Sequence, residues 1–292
     1  MNSFTIKDLS NLSGIKAHTL RIWEQRYNFL KPSRSFTNIR YYSNEELKTI
    51  LNIALLNKYG FKISHIDKMS VDEMSEKILL LNQSEAQQER IVNDLVNNMI
   101  SMDMDAFSAT LDVYISAKGL EKMIMNVIFP FLEKIGILWL TNHINPAQEH
   151  LVSNMVRQKL IAGIENCKPA LSSAKKVLLF LPEGEYHELG LLFIHFLLKR
   201  KGVGVIYMGA NLPLEDLAYV TQHKEPDYIY CHLTNMGVNF RFDKFLFNLE
   251  QQSRPIPIII SGKITYSYEK KIKPPVYFKR TLAESMSFVE SL

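Results

Sequence analysis

The chain has 292 residues, 47% of them hydrophobic and 22% charged, which is the composition of globular domains with length for two or three cores and excludes a fibrous or disordered chain. No run approaches the roughly 18 apolar residues of a membrane span, and Met1-Asn2-Ser3-Phe4-Thr5 lacks the basic stretch and apolar run of a secretory leader, so a cytoplasmic protein without a membrane partner is expected. The net charge of +4 is uneven: residues 1–70 carry eleven Lys/Arg against five Asp/Glu, a basic head that suits phosphates.

Thr5-Ile6-Lys7-Asp8 is a capping-box start, followed by Ile6, Leu9 and Leu12 at helical spacing and a stop at Gly14. A second helix is predicted from about Ala17 to Tyr27, with Leu20, Trp23 and Tyr27 on one side and His18, Arg21, Glu24 and Gln25 on others. The Gly-containing connection between the two permits a steep crossing. Leu30-Lys31-Pro32-Ser33-Arg34, a polar tip and Arg40-Tyr41-Tyr42 predict a small β-ribbon wing, and Ser43-Asn44-Glu45-Glu46 opens a further capped helix. Between Lys16 and Arg40 six basic residues stand against Glu24 alone.

From Val71 to Lys168 glycine and proline are sparse, and apolar residues recur at helical intervals in Ile91-Val92-Leu95-Val96-Met99 and Ile124-Val127-Ile128-Leu132-Ile135. This predicts four or five helices in a bundle, the last starting with Asn145 as cap and Pro146 at its first position. Beyond it, short β-branched runs at Val177–Leu181, Val203–Tyr207, Tyr228–Cys231 and Ile256–Ile260 alternate with helices. Alternation of that kind predicts a parallel sheet of the Rossmann or flavodoxin-like, doubly wound class, whose ligands lie beyond the carboxyl ends of the strands. The expected division is a winged helix-turn-helix over residues 1–75, a helical bundle over 76–170 and an α/β domain over 171–292. Cys167 and Cys231 lack the spacing of a zinc or redox site.

After the first strand of the α/β domain stands Glu183-Gly184-Glu185-Tyr186-His187-Glu188-Leu189-Gly190. His187 would sit at the ligand edge, with either Glu185 or Glu188 placed to orient its ring. On the last bundle helix, Glu149 and Ser153 share one face, and His150, Asn154 and Arg157 form a neighbouring polar stripe.

Thr5-Ile6, Leu9, Gly14-Ile15, Thr19-Leu20-Arg21, Trp23-Glu24, Leu30-Lys31-Pro32-Ser33-Arg34, Arg40-Tyr41-Tyr42 and Gly60-Phe61 resemble the MerR family of regulators in order and spacing. The resemblance implies that the second helix enters the major groove while the wing grips the backbone. His18, Arg21 and Gln25, with Thr19 beside them, are then the base-side candidates, and Arg34, Arg40 and Tyr41 the phosphate contacts. Lys16 replaces the Ser or Thr common in the family as cap of the recognition helix, and offers a phosphate contact instead.

Glu185-x-His187-x-x-Gly190 resembles the cobalamin-binding signature, in which the histidine is the lower axial ligand of cobalt. The family usually has a Ser separated from the glycine by forty-one intervening residues and a later Gly-Gly, both near the nucleotide tail. Here those positions read His232 and Ser261-Gly262, with the Ser261 hydroxyl and Thr234 as replacement hydrogen-bonding groups. Trp139, followed by Glu149-His150, resembles the motif of light-responsive MerR-type repressors that bind adenosylcobalamin. That likeness implies Trp139 on the adenosyl group, Glu149 and His150 lining its pocket, and His150 as candidate upper ligand after photolysis.

Together these resemblances imply a repressor that holds adenosylcobalamin in the dark and leaves its operator in the light. The implied partners are double-stranded DNA and further copies of the chain, as a homodimer or tetramer, with an antirepressor protein or RNA polymerase as additional candidates. The competing expectation is a cofactor-free module used for oligomerisation or antirepressor binding, which His232 and Ser261 favour. A corrinoid methyl carrier is the third; the fused head and the lack of a nucleophile constellation speak for a protein that is not an enzyme.

Overall fold

The structure, a computed structural model, describes residues 4–140, 144–168, 173–234, 236–237, 240–253 and 255–292, with the side chains of 137–140 outside that description. Contacts divide the chain into two units, Met1–Met155 and Val156–Leu292.

In the first unit, α1 (Ile6–Ser13) starts at the Thr5/Asp8 capping box and stops at Gly14, whose φ of 72° is the left-handed conformation glycine adopts without strain. In α2 (Ala17–Arg26), Leu20 and Trp23 are buried, while Lys16 makes no side-chain cap. The wing is a two-stranded antiparallel ribbon, β1 (Ser33–Arg34) with β2 (Arg40–Tyr41), in which Arg34 faces Arg40. A second capping box, Ser43/Glu46, starts α3 (Asn44–Lys58), and α4 (Ile63–Ile66) follows. The bundle comprises α5 (Val71–Leu79), α6 (Ser84–Ser101), α7 (Met104–Lys118), α8 (Leu120–Met123), a π-helical turn at Ile124–Ile128, α9 (Phe129–Leu140) and α10 (Pro146–Glu165). The wide turn directly precedes Pro130, which has no N–H for a regular helical bond. Head and bundle share this unit because α3 packs on α5 and α6, with Lys58 Nζ 2.6 Å from Glu89 Oε2.

The second unit contains the end of α10 and a five-stranded parallel sheet. Its elements are β3 (Lys176–Pro182), α11 (Leu189–Lys201), β4 (Gly204–Leu212), α12 (Leu214–Lys224), β5 (Tyr228–His232), α13 (Phe242–Ser253), β6 (Ile258–Ser261), α14 (Ile264–Ser267), β7 (Val276–Lys279) and α15 (Leu282–Glu290). Strand order is β4-β3-β5-β6-β7, the flavodoxin-like order, so the chain reverses direction across the sheet between β3 and β5. Val177–Leu181 of β3 are fully buried, as a central strand covered on both faces requires. The expected fold class therefore holds, with one addition: β7 was not anticipated. It is four residues long at the sheet edge, flanked by Lys271, Lys273 and two prolines, too short and too polar to read as a core strand.

Candidate nucleic-acid interface and ligand crevice

The head is organised around one carboxylate. Glu24 is the lone acid between Lys16 and Arg40, and its side chain is only 12% exposed. Arg40 Nε donates to both its oxygens at 3.0 and 2.9 Å, Tyr42 Oη donates at 3.2 Å, and Arg34 approaches at 3.5 Å. Burial and the neighbouring Glu24 carboxylate hold the Tyr42 phenol well above its usual range. This node ties the wing to α2 and turns the acid inward, so the outer face is cationic. Lys16, His18, Arg21 and Gln25 are exposed along the α2 side, Thr19 is half-buried, and Arg34 is exposed on the wing. Arg40 and Tyr41 are half-buried, and Arg40 is engaged by Glu24 in addition to any contact it makes with DNA.

The crevice lies at the ends of β3 and β5, where the topology reverses. Glu185 is fully buried. Its Oε1 accepts from the His187 backbone N–H at 2.9 Å and lies 2.6 Å from His187 Nδ1, and its Oε2 accepts from the Thr234 N–H at 2.8 Å. With Nδ1–H given to the carboxylate, a neutral His187 ring carries its lone pair on Nε2, and the side chain is 52% exposed. The choice that sequence left open is thereby settled. Glu188 instead accepts from Tyr207 Oη at 2.6 Å and pairs with Arg157 Nη2 at 2.8 Å, and burial and this carboxylate raise the Tyr207 phenol far above its usual range.

Two backbone approaches shape the crevice wall. A Cβ on Gly190 would stand 2.7 Å from Cδ2 of His232, so the imidazole of His232 fills the space in front of that glycine. The ring is held there by Ser261, with Nδ1 2.8 Å from Oγ. Burial lowers the His232 pKa to about 4, against a smaller opposing pull from Glu185, and the ring is neutral. At Gly262, with φ 95°, a Cβ would stand 2.7 Å from the Leu233 carbonyl carbon.

In the first unit, Gln148 is buried and its Nε2 donates to the carbonyls of Met99 and Ile100, both at 3.2 Å, closing the end of α6. Asn145 accepts from the Ala147 N–H at 2.9 Å as the cap of α10. The first turn of α10 is thus fixed, and it carries Glu149 and His150, whose Oε2 and Nδ1 are 3.8 Å apart with the imidazole exposed. Trp139 is on α9, its side chain outside the described residues.

Residues 4–71 match the MerR HTH family regulatory protein model, and residues 91–162 match the B12 binding domain. Over 260 residues the chain is 28% identical to the HTH-type transcriptional repressor CarA of Myxococcus xanthus, covering 88% of this chain and 85% of that one. The HTH-type transcriptional repressor CarH of the same organism is 27% identical over 274 residues, covering 91% of each. The protein is a homologue of these repressors. A monomethylamine corrinoid protein of Methanosarcina barkeri shares the fold, with a TM-score of 0.55 at 13% identity, covering 70% of this chain and all of that one.

The homologue therefore joins a MerR-type head to a B12-binding-type bundle, and no helix among the described residues is long and apolar enough to cross a membrane. Several residues that build its sites were given no role by the sequence, although Tyr207 and Asn211 stand in a stretch, Tyr207–Leu217, that itself resembles the cobalamin-binding domain. Asn211, left-handed with φ 60° where β4 shifts register against β3, accepts from the Gly184 N–H at 2.9 Å and donates its own N–H to the Glu185 carbonyl at 3.2 Å. It latches the His187 loop from a neighbouring strand. Gln148 and Tyr207 act in the same way, through partners 49 and 19 residues distant.

The residues at the crevice fit a corrinoid in one respect and not in another. A neutral imidazole oriented by a buried carboxylate is the donor a cobalt centre takes. The cleft before Gly190, by contrast, is taken by the His232 ring, so a nucleotide tail does not fit there in this arrangement of side chains.

Proposed function

We propose that the protein is a sequence-specific DNA-binding transcriptional repressor that senses adenosylcobalamin, and light through it. The observation that carries the sensing half is the Glu185–His187 pair, 2.6 Å apart at the crossover crevice of a chain that begins with a helix-turn-helix. In this reading His187 Nε2 would hold the cobalt of the cofactor, with Glu185 holding the tautomer. Trp139, Glu149 and His150 would line the pocket of its adenosyl group, and His150 would be available as a cobalt ligand once that group is lost. Bound adenosylcobalamin would supply a cobalt–carbon bond that visible light breaks. On the DNA side, α2 enters the major groove with His18, Arg21 and Gln25, Lys16 and Arg34 meet phosphates, and the Glu24 node sets the angle of the wing. The protein acts in the cytoplasm as a homodimer or tetramer, without enzymatic turnover.

The seating of His232 against Gly190 favours a second reading, in which the α/β unit works without cofactor as an oligomerisation platform or an antirepressor site. One experiment separates the two. Protein mixed with adenosylcobalamin in the dark is passed through gel filtration, and its visible spectrum and DNA affinity are recorded before and after illumination. Retained cobalt absorption that changes with light, together with loss of DNA binding, is expected. No retained absorption, with operator binding indifferent to His187→Ala, overturns the sensing reading in favour of the second.

A further inference from the structure

The tip of the wing is ordered, cationic at its base and apolar at its end. Ser35 N–H donates to the Ile39 carbonyl at 2.9 Å, Asn38 N–H to the Ser35 carbonyl at 2.9 Å and Ile39 N–H to Ser35 Oγ at 3.0 Å. Asn38 takes a left-handed conformation, φ 62°, and its Oδ1 accepts from Arg34 Nη1 at 2.8 Å. The turn closes its polar groups on itself and leaves Phe36 wholly exposed, 107%, with Ile39 beside it at 49%. What sets this pair apart from other exposed apolar side chains is its place, at the end of a turn whose polar groups are already paired and whose base is cationic.

The surroundings identify what covers it. Lys31 and Arg34 are exposed at the foot of the ribbon, and Glu24, the lone acid between Lys16 and Arg40, is turned inward under Arg40. A ring projecting from between cations fits a groove walled by phosphates. The minor groove of B-form DNA is about 6 Å wide, narrow enough to grip a ring, and apolar side chains wedge between its base steps in proteins that bend the duplex. A protein partner would need acids set around an apolar pocket; duplex DNA supplies both elements as regular features.

We infer that Phe36, supported by Ile39, is an apolar minor-groove wedge at the wing tip, placed there by the phosphate contacts of Lys31 and Arg34. This rests on the DNA-binding reading above and adds to it a contact that is not electrostatic. Because the turn is already formed, little ordering opposes insertion. Each charge–phosphate contact releases counterions and steepens the dependence of affinity on salt, whereas an apolar wedge does not. The two kinds of contact are therefore separable in one measurement.

The test uses the full-length protein and the duplex of about 30 base pairs, some three helical turns, that the wild type enriches from a random library. Affinity is measured across a salt series for wild type, Phe36→Ala, Phe36→Trp and Arg34→Ala. Phe36→Ala is expected to weaken binding tenfold or more with an unchanged salt slope, and Arg34→Ala to weaken binding while reducing the slope by about one. Phe36→Trp is expected to keep the affinity and to show its added indole emission quenched on the duplex. Since the side chain is exposed, Phe36→Ala is expected to unfold at the wild-type temperature, and a thermal melt of each variant separates a loss of binding from a loss of fold. Affinity within twofold of wild type for Phe36→Ala overturns the wedge while leaving the DNA-binding reading intact. So does a changed oligomeric state with unchanged affinity. Failure of the wild type to enrich any duplex overturns the DNA-binding reading itself.

Discussion

The head and the crevice each centre on a carboxylate with little or no exposure, but they are built for different tolerances. Glu24 is met by guanidinium groups from the wing and leaves an exposed cationic face whose side chains touch little else. Glu185 is met by backbone amides and an imidazole inside a wall where two backbone segments approach too closely for a Cβ. The lesson is where substitutions act. On the head they should change binding and spare stability; in the crevice they should change stability first.

The largest effect should come from Gly262→Ala, which combines a left-handed backbone with a clash against the Leu233 main chain that no side chain can relieve. A loss of about 3 kcal/mol or more is expected in denaturant titration; near-wild-type stability would show that the crevice wall gives way. Gly190→Ala meets only the His232 ring, so a loss of about 2 kcal/mol is expected for it alone, mostly recovered in Gly190→Ala/His232→Ala. Strict additivity of the two changes would break the proposed contact.

Acid should separate the two regions. His232 and His195 have folded pKa values near 4, in both cases chiefly from burial, against 6.5 in the unfolded chain. The unfolded state then binds protons that the folded state refuses, so stability is complete above about pH 6.5 and falls as pH drops toward 4. The expected loss is of order 1 to 2 kcal/mol after allowing for solvent screening. Hydrogen exchange should rise in β3–β6 before it rises in α1–α3, and His195→Gln with His232→Asn should flatten the profile. Equal acceleration in both regions would erase the contrast. The smallest stability effect belongs to the head: Arg21→Ala should shift unfolding by less than about 0.5 kcal/mol while weakening DNA binding by about 1 to 3 kcal/mol. A destabilised Arg21→Ala would place that side chain in the packing and not at the interface.

What could be read along the chain was local. The capping boxes at Thr5/Asp8 and Ser43/Glu46, the stop at Gly14 and the Asn145–Pro146 start of α10 are decided within three or four residues, where hydrogen-bonding reach and sequence spacing are the same thing. The alternation of β-branched runs and helices likewise foretold the parallel sheet, and β7 escaped only because an edge strand of four residues carries too little pattern. The tertiary structure alone chose between Glu185 and Glu188 for His187: both carboxylates are within two residues of the ring, and the selection came from Thr234 on one side and Tyr207 and Arg157 on the other. It alone also put His232 against Gly190, 42 residues away, buried Glu24 beneath Arg40, and left Phe36 exposed at the wing tip. Residue types and short spacings determine which elements form and which groups are available, whereas burial and partnership depend on which distant segments the sheet and helices bring to the same few ångströms.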